Sequence, residues 1–157
     1  MNFYRYALNN PLGYIDPSGL DVTVTLYRGA RGYGHIGVGV NTTSPLETWG
    51  HYPNEQAVHT VPGQVVRDAV HKSDKDILDT ITIPTNADQD RAMLRIINRS
   101  VGNRWYKLTE RNCATFVEEV LRGGDVEAPD TILPKEMMEQ LQRIHGGRGP
   151  IVFGGAD

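Results

Sequence analysis

The chain predicts an α+β fold, its strands gathered in the first half and its helices in the second. Three observations lead there. Val22, Val24 and Leu26 alternate with Thr23, Thr25 and Tyr27, the two-residue period of a half-buried strand. Gly34-His35-Ile36-Gly37-Val38-Gly39-Val40 is a short β-branched run framed by glycines. Beyond Pro84, three segments carry apolar residues at helical spacing.

The elements follow in order. Gly29 to Gly34 is a glycine-rich loop, and His35 to Val40 a second strand in which Gly37 and Gly39 mark close approach by another part of the chain. Asn41-Thr42-Thr43-Ser44-Pro45 is a hairpin loop, after which Leu46 to Tyr52 returns as a third strand. Pro62-Gly63 turns the chain into a short strand at Val65-Val66, and Ile77 to Ile83 is a further strand ended by Pro84. Thr85 or Asn86 caps the first helix, whose stripe is Ala92, Met93, Ile96, Ile97 and Val101 and which Gly102 closes. The second helix begins at Asn112 or Cys113, buries Phe116, Val117, Val120 and Leu121, and stops at Gly123-Gly124. The third starts near Thr131, with Pro134 in its first turn and Met137, Met138, Leu141 and Ile144 along its stripe.

Composition narrows the function classes. At 157 residues the chain has the length of one domain with one core. A net charge of -3 and a pI near 5.9 give no basic stripe, so nucleic acid is not an expected partner. No apolar run approaches the roughly 20 residues that span a bilayer, so membrane insertion is not expected either. The amino terminus lacks the basic-then-apolar layout of a signal peptide, so any export is expected to rely on other machinery.

Cys113 is the only cysteine, which leaves packing or chemistry as its purpose. Asn112-Cys113 opens an amphipathic helix, so the sulfur sits at the positive end of a helix dipole, where a thiolate is stabilised. His35, on a separate strand, is the candidate base for such a nucleophile. The backbone N–H of Cys113 is a candidate oxyanion donor, and Asn112 either assists there or merely caps the helix. His59, His71 and His145 show no ligand spacing and are read as surface residues. Asp74, Asp76 and Asp79 lack the glycine and the bidentate glutamate of a calcium loop, and Gly32-Tyr33-Gly34 precedes a strand rather than a helix, so it is no phosphate loop. No metal or cofactor is expected.

The first twenty residues differ in kind. Tyr4-Arg5-Tyr6, Asn9-Asn10-Pro11-Leu12 and Asp16-Pro17-Ser18-Gly19-Leu20 resemble, almost residue for residue, the closing motif of the Rhs repeat-associated core. In that family the core is a hollow shell, and a variable toxin tip follows the motif. The resemblance implies that residues 1–20 are the remnant of that motif, with Leu20 as the processing site. Residues 21–145 would be an antibacterial toxin domain used in interbacterial competition, and 146–157 a loose Gly-rich tail. It also implies delivery into a recipient bacterium by a type VI or similar contact-dependent secretion system, to the cytoplasm ahead of the periplasm. Partners would be the Rhs shell and secretion apparatus before release, and a cognate immunity protein.

A second resemblance concerns the tip. The order of histidine strand, hairpin partner and cysteine helix is similar to that of the circularly permuted papain-like superfamily, which includes permuted NlpC-like proteins. It rests on Gly34 to Gly39 and on Trp105-Tyr106-Lys107-Leu108-Thr109-Glu110-Arg111-Asn112-Cys113-Ala114-Thr115-Phe116-Val117. That resemblance implies a small antiparallel sheet against about three helices, with Cys113 as nucleophile at a helix N-terminus and His35 as base. The group that orients the histidine comes, in NlpC-like enzymes, from the next strand about a dozen residues on. Glu47 stands at that offset, with His51 as the second choice. The expected activity is a cysteine protease acting on an essential protein of the recipient. A phospholipase or acyltransferase, or a peptidoglycan amidase, with the same Cys-His dyad is the alternative, ahead of a non-catalytic binding tip.

Overall fold

β1 (Asp21–Tyr27) lies one strand in from the edge of the sheet. The computed structural model describes residues 20–29 and 32–146; apart from Leu20, the Rhs-like motif lies outside the described residues, as does the tail beyond Gly146. β2 (His35–Val40) pairs with one side of β1 and β5 (Ile77–Pro84) with the other. β3 (Trp49–Pro53), β4 (Gly63–Arg67) and the two-residue β6 (Gly102–Asn103) complete a six-stranded antiparallel sheet of order β5-β1-β2-β3-β4-β6. With α1 (Ala87–Ser100), α2 (Cys113–Gly123) and α3 (Pro134–His145), the domain is α+β.

The core lies between sheet and helices. Val22, Val24, Leu26, Ile36 and Val38 meet Phe116, Val117, Val120 and Leu121 of α2, and Met93, Ile97, Met137, Met138 and Leu141 fill the flanks. Burial of that apolar surface is the main favourable term in folding. Three expected stripe residues fall outside it, the first being half-buried Ala92 on α1. Val101 is the C-cap of α1 and exposed, and Ile144 is exposed on the last turn of α3, where buried Gln142 instead reaches back to the Thr80 carbonyl.

β1 was expected to be half buried, yet all seven of its residues are buried. The connection between β2 and β3 explains this by folding over the second face of the sheet. Thr25 and Tyr27 donate to the Pro45 carbonyl at 2.6 and 3.1 Å, and Thr42 donates to Thr23. The same connection shortens β3, which begins at Trp49 rather than Leu46, because Ser44 and Glu47 close a local turn.

α2 is fixed at its start by a capping box of Asn112 and Thr115. Asn112, 3 % exposed, accepts from the N–H groups of Ala114 and Thr115 and donates to the carbonyls of Leu108 and Ile132. Loss of an N-cap costs about 0.5–2 kcal/mol, and carbonyls left unpaired in the interior add to it. Asn112→Ala is therefore expected to lower unfolding stability by about 2 kcal/mol or more in urea titration. An Asn112→Asp variant, which keeps the cap but sets a carboxylate oxygen against the Leu108 and Ile132 carbonyls, should be destabilised at least as much.

Candidate active site

Register decides which side chains meet. Val38 pairs with Trp49, and continuing that antiparallel register sets Gly37 opposite Gly50 and His35 opposite Tyr52. In the next pair Trp49 faces Arg67, so Asp68, the residue after β4, falls beside Thr48 and donates its N–H to the Thr48 carbonyl at 2.8 Å. Side chains at alternating positions share a face. His35, Gly37, Gly50, Tyr52 and Asp68 therefore gather on one side of the sheet.

The two glycines make the space that the Asp68 carboxylate fills. A β-carbon at Gly37 would land on Asp68 Oδ2, and one at Gly50 on both Asp68 Oδ1 and His35 Nε2. Into that hole come three donors. His35 Nε2 meets Oδ1 at 2.7 Å, the Tyr52 hydroxyl donates to Oδ1 at 2.6 Å, and Thr48 Oγ1 donates to Oδ2 at 2.6 Å. Asp68 has no exposure, and an unpaired carboxylate there would cost several kcal/mol.

Cys113 is the first residue of α2, 5 % exposed, and lines the same cleft as His35. The cleft has a volume of about 760 Å³, with His51, Tyr52 and Tyr106 in its wall and Tyr33, Val58 and Leu108 among its exposed apolar lining. Because Nε2 of His35 is engaged by Asp68, Nδ1 is the ring nitrogen left for the sulfur. Burial pulls the imidazole pKa down, but the charges of Asp68 and Cys113 and the hydrogen bonds to both outweigh it, and the pKa is raised to about 9. Burial works against the Asp68 carboxylate in turn. The charge of His35 and the bonds from His35, Thr48 and Tyr52 prevail and hold it below the ordinary carboxylate range. The arrangement sets an imidazole that favours its protonated form in the same cleft as Cys113.

The other residues singled out in the sequence take different places. Glu47 does not reach His35. It is exposed on the β2–β3 connection, its carboxylate accepting from the N–H and hydroxyl of Thr43. Even in an extended strand, position 47 falls on the face with Trp49 and His51, opposite to that of His35. Asp68 holds the place expected for Glu47. His51 is 1 % exposed on that opposite face, with Nε2 against the Arg104 carbonyl at 3.1 Å and its ring edge-on to Tyr106. Burial, with Arg104 and Arg111 adding to it, lowers its pKa to about 4, so it stays a neutral wall residue and does not orient His35. The Asn112 amide spends its donors on Leu108 and Ile132, so it is a cap and not an oxyanion donor. Leu20 is exposed just before β1. Among the described residues no group of three His, Cys, Asp or Glu side chains gathers as a metal site.

No model of a known protein family, no curated protein and no solved structure matches this chain. Sequence reasoning missed Asp68, Thr48 and Tyr52, although one signal pointed to them. Gly37 was marked for a close approach, and Gly50, its cross-strand counterpart, is the other half of the hole.

The His35 shift has a sign for stability. A folded-state pKa raised above the ordinary 6.5 contributes stability that is full below pH 6.5 and is lost as pH rises through about 9. At about 1.4 kcal/mol per pH unit, the loss across that window is on the order of 3 kcal/mol. Urea unfolding of wild type and His35→Gln at successive pH values should show a stability gap that narrows over this range. Gly50→Ala, which keeps every polar side chain but fills the hole, is expected to narrow it in the same way.

Proposed function

We propose that residues 21–145 form a cysteine hydrolase that acts as a peptidase, the toxin tip of an Rhs-type polymorphic toxin with a permuted papain-like arrangement. The observation that carries this reading is the buried His35–Asp68 pair, at 2.7 Å, facing the cleft that also receives the chain's single cysteine at a helix N-terminus. A structural cysteine needs no charged partner; a nucleophile does. The order of elements, histidine strand before cysteine helix, agrees with the permuted arrangement.

In this mechanism the Cys113 thiolate attacks the carbonyl carbon of a peptide bond. The oxyanion meets the Cys113 backbone N–H, which the Asn112 side chain does not engage, and the hydroxyl of Tyr106. That phenol stays protonated because burial, and then the charge of Cys113, raise its pKa. His35⁺ gives its proton to the departing amine, and the C–N bond breaks to leave a thioester on Cys113. Neutral His35 then takes a proton from water, whose oxygen attacks the thioester, releasing the acid and restoring the pair. Asp68 holds the imidazole and balances its charge throughout.

A second reading, hydrolysis of a lipid ester by the same groups, draws support from the exposed apolar residues Tyr33, Val58 and Leu108 in the cleft lining. The target is placed in the recipient cytoplasm, and a cognate immunity protein would act by covering the cleft. Recipient cells expressing wild type should accumulate new protein amino termini that are absent with Cys113→Ala. Asp68→Ala should reduce their rate of appearance by about 10²-fold or more, whereas Glu47→Ala should leave it within about twofold. Undiminished toxicity of Cys113→Ala would overturn the thiol mechanism. Lysophospholipids without new termini would favour the lipid reading, and toxicity only on export to the periplasm would exclude a cytoplasmic target.

A further inference from the structure

The mechanism above leaves one neighbour of the His35–Asp68 pair without a task. Tyr52, opposite His35 across the sheet, lays its ring nearly parallel to the imidazole, with centroids 4.3 Å apart and planes inclined by 19°. Its hydroxyl donates to Asp68 Oδ1 at 2.6 Å. One side chain therefore touches both members of the pair through two different groups. We propose that Tyr52 is the positioning residue of this site: its hydroxyl locks the Asp68 carboxylate, and its ring fixes the plane of His35 so that Nδ1 addresses Cys113. This rests on the reading of Cys113 and His35 as an ion pair.

The geometry shows why both contacts are needed. Asp68 Oδ1 accepts from His35 and Tyr52 while Oδ2 accepts from Thr48, so rotation of the carboxylate would break bonds to three residues at once. The phenol remains a donor, because burial first and the Asp68 charge second keep it from ionising. His35 needs the ring as well. Its Nε2 bond to Asp68 fixes one end of the imidazole but leaves the ring free to pivot about that bond. The other aromatic neighbour, Tyr27, lies at 5.9 Å and is tilted by 36°. A π face at 4.3 Å also favours the cationic form of the imidazole. The groups bearing on His35 are Asp68 after β4, Tyr27 on β1, Tyr52 on β3 and Cys113 on α2. His71 packs on the Tyr52 ring at 4.4 Å, and Lys72 and His51 lie in the cleft wall.

Cys113 is the only thiol, so its alkylation by iodoacetamide reads the pair without any substrate. Measured from about pH 4 to 9, wild type is expected to keep rapid alkylation well below the range of a free thiol. Tyr52→Leu should lose about tenfold or more of the rate on the acid side, its profile moving toward that of a free thiol. Tyr52→Phe, which keeps the ring and loses the hydroxyl, should retain the acid-side reactivity with a smaller drop of about two- to fivefold. Melting temperatures and far-UV spectra accompany each variant, and Tyr52→Phe carries the test alone if Tyr52→Leu fails to fold. Profiles of both variants that superimpose on a perturbed wild-type profile would overturn the role of Tyr52 and leave the ion pair standing. A wild-type profile like that of a free thiol would overturn both. A Tyr52→Phe drop as large as that of Tyr52→Leu would remove the role assigned to the ring.

Discussion

A carboxylate with no access to water is the constraint on which this structure turns. Asp68 is tolerable in the interior only because His35, Thr48 and Tyr52 all donate to it, and these come from β2, the β2–β3 connection and β3. The carboxylate also needs volume, supplied by the missing β-carbons of Gly37 and Gly50. Those conditions hold in one register only. A slip of β3 by one residue would carry Tyr52 and Gly50 to the other face and put Trp49 or His51 where the charge lies. The sheet pairing and the site chemistry are therefore one specification.

How far the sequence announces this can be judged residue by residue. Strands at 21–27, 35–40 and 77–84 and the helix starting at Cys113 are visible because local periodicity and capping chemistry dictate them. The Asn112 cap is legible as a type, although its two extra donors to Leu108 and Ile132 are not, since those carbonyls arrive by tertiary folding. His35 and Cys113 stand out by context. Asp68 does not, because nothing local separates it from other surface-type aspartates; only the pairing of Trp49 with both Val38 and Arg67 brings it under His35. Choosing Glu47 by its distance along the chain counted residues and missed strand parity. The burial of both faces of β1 escaped for a related reason, since a connecting loop supplies its second cover.

His35 and His51 show how completely surroundings override residue type. Both are buried and both line one cleft, yet one imidazole is raised to about 9 and the other lowered to about 4. Desolvation is the largest influence on each and acts in the same direction. What separates them is the company: His35 has a carboxylate and a sulfur, whereas His51 has a backbone carbonyl and the positive charges of Arg104 and Arg111. An imidazole that cannot hold a proton cannot protonate a leaving group. The acid–base role in the proposed chemistry is thus open to only one of the two.

The position of Leu20 bears on the release proposed for this domain. β1 runs from Asp21, beside β2 near Val40, to Tyr27, which pairs with His35, so Asp21 and His35 lie toward opposite ends of one strand. At about 3.3 Å per residue they stand on the order of 20 Å apart. The Leu20 carbonyl accepts the Thr85 N–H, beyond the end of β5. A cut on its carboxyl side would remove that carbonyl from the domain and leave untouched every bond around Asp68, together with the start of α2. Under the proposed release at that junction, Cys113, His35 and Asp68 would keep the geometry they already have.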